Sequence, residues 1–280
     1  MSEQIIEFLK RWKYNPIGTV GAVGIILLVL VAILAPLIAP HSPTDMNVLR
    51  RMDSPSLDHP FGTDRYGRDE FSRIIFGARV SLQVGIIAVS IGVGTGLFFG
   101  LIAGYYGRLL DSLIMRFMDI LFAFPSILLA LVVIAVLGPG LTNTMVAIGI
   151  TNMPVFTRLV RASVLSVREE EYVSAAIALG VKDYRLLGRH VLPNVLAPVI
   201  VQASLALSGA ILTEAALSFL GLGIQPPTPS WGSMLSEARR YMELAPWTAI
   251  FPSLAIMITV MCFNLFGDGL RDILDPKIRG

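Results

Sequence analysis

The sequence predicts an all-α integral membrane protein with six transmembrane helices. Hydrophobic residues make up 54% of the 280 residues and charged residues only 15%, and the mean hydropathy is +0.71. Soluble domains usually contain about a quarter charged residues. A chain this apolar would aggregate in water but is solvated by a bilayer, so one helical membrane domain is the expected architecture.

Six apolar stretches are long enough to cross the membrane, because a helix needs roughly 20 residues to span a hydrocarbon core about 30 Å thick. They comprise residues 17–39, 82–106, 112–137, 141–165, 197–221 and 247–268. We divide the chain into residues 1–80, an anchor span with an outer amphipathic segment, and residues 81–280, a core of five spans. Pro125, Pro154 and Pro252 fall inside spans and are expected to bend their helices.

The first span is predicted to be an uncleaved anchor with its N-terminus in the cytoplasm. Lys10, Arg11 and Lys13 precede it as in a signal peptide, but the apolar run is about twice as long as a signal's apolar core. With six spans, this orientation places 14 of the 22 lysines and arginines inside and 8 outside, which the positive-inside rule favours. Both termini and segment 166–195 then face the cytoplasm. The only cysteine, Cys262, lies in the last span, so no disulfide is expected.

Glycines form a regular pattern in the second span. Gly92, Gly96, Gly100 and Gly104 recur every four residues and give one helix face without side chains. Small residues at this spacing let membrane helices approach closely, so we expect tight helix packing here. The alternative is that this face lines a substrate path.

Polar residues within spans are functional candidates, because their burial in lipid is costly. Arg116 and Asp119 lie three residues apart and are predicted to form a local structural ion pair. Glu214 has no basic residue within its own span, so it either lines a translocation path or bonds to a neighbouring helix. Asn152 and Gln202 are weaker path candidates, with helix–helix hydrogen bonds as the alternative.

Outside the spans, residues 61–80 are predicted to form an amphipathic element, and Trp231 is expected at the membrane interface. His59 with the nearby aspartates Asp58 and Asp64 lacks the compact spacing of metal ligands. His41 adds no such spacing, so we predict no metal site.

Segment 166–195 concentrates charge between two apolar stretches. Val173, Ala176 and Leu179 recur at helical spacing, and Gly180 suits the left-handed residue that ends a helix. A second short helix is predicted to end before Pro193. The segment is therefore predicted to form a helix–turn–helix that docks into a groove of another protein, or else an amphipathic element that lies on lipid headgroups.

The motif "SAAIALG" from Ser174, followed after nine residues by "HVLP", resembles the EAA loop of binding-protein-dependent ABC importer permeases. Ala175, Ala176, Gly180 and the pair Leu192-Pro193 match that pattern, whereas Ser174 replaces its usual Glu and His190 stands where Ile is commonest. Three further segments resemble the C-type subunits of dipeptide and oligopeptide permeases, namely "HPFGTDRYGRDEFSRIIFGARVSL", "EAALSFLGLGIQPPTPSWGSML" and "FNLFGDGLRDILDP".

The resemblance implies a type I ABC importer permease fold with a cytoplasmic coupling helix, in the inner membrane of a bacterium. It implies a homologous second permease subunit as heterodimer partner, two ABC ATPase subunits and an extracytoplasmic substrate-binding protein, besides membrane lipid; no nucleic acid is expected. The residues expected at the ATPase are Tyr172, Ser174, Ala175, Ala176, Leu179, Gly180, Val181, Lys182 and Arg185. The binding protein is expected to touch Glu237 or Arg240.

The chain itself is not expected to be an enzyme or to hold a cofactor. No G-x-x-x-x-G-K-[ST] motif occurs in it, so ATP and magnesium belong to the partner ATPases. Within the resemblance, peptides are the expected cargo, and nickel chelates, glutathione and oligosaccharides are the alternatives. An ATP-independent secondary transporter would show an inverted repeat, which the sequence lacks, and a non-transporting scaffold is the third class considered.

Overall fold

The computed structural model describes residues 15–274, and every regular element in this range is a helix. The helices in chain order are α1 (Pro16–Ile33), α2 (Ala35–Ile38), α3 (Glu70–Tyr106), α4 (Arg108–Phe122), α5 (Ser126–Leu137), α6 (Leu141–Arg168), α7 (Glu171–Ala178), α8 (Asp183–Leu186), α9 (Leu192–Phe219), α10 (Trp231–Ala238) and α11 (Trp247–Leu274). A 3-10 turn forms at Val48–Arg50, and a π-helical turn at Leu187–Val191 joins α8 to α9. The predicted basic cluster at residues 10–13 and both termini lie outside the described residues.

Four helices of the described chain are long and apolar enough to cross a membrane: α1, α3, α11 and the continuous helix formed by α8 and α9. The helix pair α4 and α5 adds a fifth candidate with a bend of 93°. α6 is 28 residues long but more polar, so the predicted count of six is not confirmed. The bend predicted at Pro125 is confirmed: α4 ends at Phe122 and α5 begins at Ser126, because Pro125 lacks an N–H and restricts the preceding residue.

The glycine face of α3 packs against α6, and these helices make the most extensive contact of any helix pair in the described chain. A Cβ atom added at Gly92 would lie 2.8 Å from Asn152 Cβ, and one at Gly96 would lie 2.9 Å from the backbone carbon of Phe156. Added Cβ atoms at Gly100 and Gly104 would lie 2.6 and 2.7 Å from the Cβ atoms of Val160 and Val164, respectively. The predicted tight packing is confirmed, because no side chain fits at these four positions.

The remaining long helices pack around this pair. α11 contacts both α1 and α9, and glycine again permits the approach: a Cβ at Gly21 would lie 2.8 Å from the carbonyl oxygen of Cys262. Trp231 at the start of α10 is 1% exposed, and its Nε1–H donates to the Ile74 carbonyl over 3.0 Å. Trp231 thus packs against α3 inside the protein, and its position at the membrane interface stays a prediction.

Segment 39–69 folds against the N-terminal end of α3. The separate amphipathic element predicted for residues 61–80 is not formed, because residues 61–69 form turns and residues 70–80 are the start of α3. Gly62 and Gly67 adopt positive φ and turn the chain, and Asp69 caps α3 by accepting the Ser72 N–H over 2.8 Å. Arg68 forms ion pairs with Asp64 and with Glu237, which follows in α10. Glu237, which the sequence assigned to a partner contact, thus faces another element of its own chain.

We predict that Gly100→Val lowers the free energy of unfolding by about 1–3 kcal/mol, because the new side chain must push α3 away from α6. Gly94→Val is the matched control, since a Cβ at Gly94 has no neighbour within 4 Å. Thermal unfolding of the detergent-solubilised chain measures both variants. Equal melting temperatures for the two variants would contradict the close approach of these helices.

Candidate functional site

The predicted helix–turn–helix is present and consists of α7 and α8, here called the helical hairpin (residues 171–186). Gly180 has φ +72°, as the sequence predicts. The Gly180 N–H donates to the Ile177 carbonyl over 3.0 Å, and the Val181 N–H donates to the Ala176 carbonyl over 3.1 Å. This pair of bonds is the Schellman arrangement that closes a helix C-terminus with a left-handed residue.

One face of the hairpin is buried against the membrane helices. Val173, Ala176 and Leu186 form a small core with Tyr105 at the end of α3 and Val167 near the end of α6. The assignment of Ala176 to the outer, docking surface is therefore wrong. Ala176 follows Val173 by three residues and so lies on the same helix face, which points inward.

The opposite face is exposed and combines apolar and basic side chains. Leu179 is 84% exposed and Tyr184 is 65% exposed, an unusual degree for such residues in water. They border an open depression of about 680 Å³. Its lining is Leu179, Gly180, Val181, Lys182, Tyr184, Arg185, Arg189 and His190. Ser174 and Ala175 are exposed on α7, and Tyr172 is exposed near its start.

Tyr184, Arg189 and His190 also belong to this surface but were not predicted from the sequence. A single aromatic residue, Tyr184, among basic residues after the turn was the sequence feature that could have indicated them. The exposed face thus offers an apolar patch bordered by cations, suited to a protein surface with an apolar pocket and an acidic border.

Polar contacts anchor the hairpin to the membrane helices. Tyr105 Oη donates to Asp183 Oδ1 over 2.7 Å, and Arg168 NH1 donates to the Tyr105 carbonyl over 2.9 Å. Asn194 Nδ2 donates to Tyr172 Oη over 3.1 Å. Side-chain hydrogen bonds therefore tie the hairpin to the ends of α3 and α9, and Arg168 ties the end of α6 to the end of α3.

The second hairpin helix does not end before Pro193, so that part of the prediction is wrong. The chain continues from α8 through the π-helical turn into α9 as one helix, Asp183–Phe219. Pro193 lies in the first turn of α9, where its missing N–H is tolerated because the wider π turn precedes it. Pro193 therefore contributes to the structure at the junction between the π-helical turn and α9.

Two ion pairs join α4 to α6. Arg161 binds both carboxylate oxygens of Asp111, and Arg158 NH2 lies 2.7 Å from Asp119 Oδ1. The predicted pair of Arg116 with Asp119 is wrong, because Asp119 faces α6 and binds the arginine that α6 presents. The charge of Asp119 still serves as a structural clamp, but between two helices.

The predicted path residues lie in different environments. Glu214 is fully buried; Ser218 Oγ donates to its Oε1 over 2.8 Å, and Ser81 Oγ on α3 lies 3.4 Å from its Oε2. Asn152 is half-buried under Gly92 and donates to the Ile148 carbonyl of its own helix over 2.8 Å. The geometry favours the helix–helix alternative for Glu214, whereas the Asn152 amide bonds within its own helix and only its Cβ faces α3.

Gln202 differs from these two residues, because it lines a cavity. The cavity has a volume of about 630 Å³ and lies between α9 and the end of α11. Asn194 and Arg271 contribute polar groups, and Leu159 and Val201 contribute apolar surface. Of the three predicted path residues, Gln202 is therefore the one with room for a ligand beside it.

A family model described as "Binding-protein-dependent transport system inner membrane component" matches residues 96–280. The chain belongs to this family. A second model, the N-terminal transmembrane domain of oligopeptide transport permease C, matches residues 4–56. The protein is thus a multi-pass inner-membrane permease of an ABC importer, which works with ATPase and other subunits.

Relatives of the permease share most of its length. It is 53% identical to the dipeptide transport system permease protein DppC of Alkalihalophilus pseudofirmus over 273 residues, covering 98% of this chain and 90% of that one. It is 50% identical to the glutathione transport system permease protein GsiD of Pectobacterium atrosepticum over 230 residues, covering 82% and 76% of the two chains.

Solved structures support the fold of the permease. An inward-facing structure of the MetNI methionine ABC transporter aligns with a TM-score of 0.59 at 17% identity, over 72% of this chain and 97% of that one. An amino acid ABC transporter aligns with a TM-score of 0.56 at 15% identity, over 71% and 92%. The predicted type I importer permease fold is confirmed.

We predict that Glu214→Gln keeps the stability and uptake of the permease, because the amide oxygen can accept from the Ser218 hydroxyl while the amide NH2 donates to the Ser81 hydroxyl. Glu214→Leu should lose about 1–3 kcal/mol for each hydroxyl left unpaired. Thermal unfolding and liposome uptake are measured together. Loss of uptake in a fully stable Glu214→Gln variant would assign the carboxylate to the translocation path instead.

Proposed function

We propose that the permease forms half of the path for dipeptides or oligopeptides and that the helical hairpin couples it to a cytoplasmic ATPase. The observation that carries this proposal is the two-sided hairpin, with Val173 and Leu186 buried in its base and Leu179 and Tyr184 exposed at its tip. An anchored element with an apolar, cation-bordered tip suits transmission of a partner's movement.

The hairpin is joined directly to the membrane helices. Its second helix continues into α9 as a single 37-residue helix, so displacement of the tip moves a membrane-crossing element directly. Tyr105 bonds the hairpin to the end of α3, and Val167 near the end of α6 packs against the buried face of the hairpin. Movement imposed by a partner at Tyr184 would therefore reach three membrane helices together.

The free energy for this movement must come from a partner. Moving a two-state equilibrium from 1:99 to 99:1 needs about 5.5 kcal/mol of differential binding. The sequence contains no phosphate-binding G-x-x-x-x-G-K-[ST] loop with which it could draw that free energy from ATP. The complex we propose contains two ATPase subunits that hold ATP and magnesium, a homologous second permease subunit in a heterodimer, and an extracytoplasmic binding protein.

The orientation follows from the same partners. The hairpin must face the cytoplasm to meet an ATPase, which puts both termini in the cytoplasm and segment 39–69 outside. Because segment 39–69 packs at the N-terminal end of α3 and Tyr105 lies at its C-terminal end, the two regions occupy opposite sides of the membrane. This arrangement agrees with the positive-inside rule.

The proposed cargo is a short peptide. The relatives named for dipeptide and glutathione transport are 53% and 50% identical to this chain, and glutathione is itself a tripeptide. Gln202, Asn194 and Arg271 provide an amide, a second amide and a cation around one cavity, groups that can bind peptide carbonyl and carboxylate oxygens.

Reconstitution of the complex in liposomes tests the function. With both ATPases, the second permease subunit and the binding protein present, uptake of a labelled dipeptide should require ATP. Uptake driven by an ion gradient without ATP would replace the importer with a secondary transporter. ATP-dependent uptake of a nickel chelate or an oligosaccharide, but no peptide, would keep the importer and change the cargo.

We predict that Gly180→Val abolishes ATP-dependent uptake, because a β-branched residue disfavours the φ of +72° that closes the hairpin. Gly180→Asn is the matched control, since Asn tolerates the left-handed region and should keep most uptake. ATP hydrolysis and co-purification of the ATPase show whether coupling or assembly is lost. Full uptake by Gly180→Val would contradict the proposed role of the turn.

A further inference from the structure

Segment 39–69 brings two of the chain's three histidines together beside an aspartate. His41 and His59 have ring centroids 4.7 Å apart, and ligand atoms of His41, His59 and Asp69 all lie within 4.8 Å of one another. These residues are 18 and 10 positions apart in sequence, so the spacing did not predict their meeting. The expectation of no metal site rested on that spacing and therefore loses its basis.

Each histidine is held by a hydrogen bond that fixes its tautomer. His59 Nδ1 lies 2.8 Å from Asp69 Oδ1, and His41 Nε2 lies 3.0 Å from the Asp58 carbonyl oxygen. Because carboxylates and carbonyls only accept, these ring nitrogens carry the protons. His59 Nε2 and His41 Nδ1 are then the nitrogens with free lone pairs.

This is the arrangement that metal-binding histidines usually have. A ligating imidazole donates its other N–H to a carboxylate or a backbone carbonyl, which orients the ring and raises its basicity. Asp69 is itself fixed, because its second carboxylate oxygen accepts the Ser72 N–H over 2.8 Å at the start of α3. His59 is buried, so its ring cannot turn away from this partner.

The space beside the rings can hold an ion and its remaining ligands. A cavity of about 560 Å³ is lined by both histidines, three carboxylates (Asp45, Asp58 and Asp69) and one guanidinium, Arg50. Arg50 is paired with Asp58 over 3.3 Å. The lining is therefore net acidic, which favours a cation.

We propose that His41 and His59 bind one divalent transition-metal ion, with Asp69 as the residue that positions His59. Two neutral imidazoles with carboxylate or water ligands suit zinc, copper or nickel, whereas calcium and magnesium prefer oxygen ligands alone. Bound metal would fasten residues 41–59 to the N-terminal end of α3, an effect independent of the proposed cargo and coupling.

Zinc binding to the purified full-length chain tests this proposal. The chain carries an affinity tag without histidine, is treated with a chelator, and is dialysed against Zn²⁺ with metal and protein quantified. We expect one zinc ion per chain, and we expect His41→Gln to weaken binding at least about tenfold, as does Asp69→Asn, within the range for loss of an orienting partner. His190→Gln is the matched control and should bind as the wild type does, since His190 lies near the hairpin at the opposite end of α3.

Stability distinguishes loss of the site from loss of the fold. His41 is exposed, so His41→Gln should unfold without metal at the wild-type temperature. Added zinc should raise the melting temperature of the wild type but not of His41→Gln, because only a folded site binds the ion. Absence of stoichiometric zinc, or equal affinity in wild type and His41→Gln, would overturn the proposal and leave the cluster as a hydrogen-bonded network.

Discussion

The close approach of α3 and α6 is the constraint on which the rest of the molecule depends. Four glycines remove every side chain from one face of α3, so backbone and Cβ atoms of Phe156 and Val160 occupy that space. In a bilayer, where lipid solvates apolar side chains as well as another helix does, such packing supplies much of the attraction between helices. It also brings the ends of both helices together, and the hairpin rests on Tyr105 and Val167 at those ends.

Charge is arranged to support the same contacts. Within the described helices, Arg158 and Arg161 on α6 bind Asp119 and Asp111 on α4, which fixes the amphipathic α4 beside α6. At the other end of α3, Arg68 binds Asp64 and Glu237 in a buried group. Charges in poorly hydrated surroundings persist when they are paired in this way.

Signals that act over a few residues were sufficient to predict much of this structure. The glycine period predicted the packed face, and Gly180 predicted the turn of the hairpin, because both depend on local backbone geometry. Pro125 predicted the bend between α4 and α5 in the same way, but not its angle of 93°. The π-helical turn that accommodates Pro193 could not be predicted, because the spacing of the apolar residues does not reveal it.

Partners distant in sequence account for most of the site features that were missed. Asp119 pairs with Arg158, 39 residues away in sequence, and Glu237 pairs with Arg68, 169 residues away. Ala176 was assigned to a surface but is buried by neighbouring elements. Residue type and period indicate that a side chain needs a partner; only the folded chain decides which one.

The length of α3 has a consequence for where the membrane ends. Its 37 residues extend about 55 Å, nearly twice the thickness of the hydrocarbon core. Even a strongly tilted helix of this length leaves several turns in water or among headgroups. Arg73, which is buried beside Glu237, lies nine residues before the predicted span 82–106. We therefore expect this contact in the protruding part of the helix, where segment 39–69 and α10 would form a folded cap outside the bilayer.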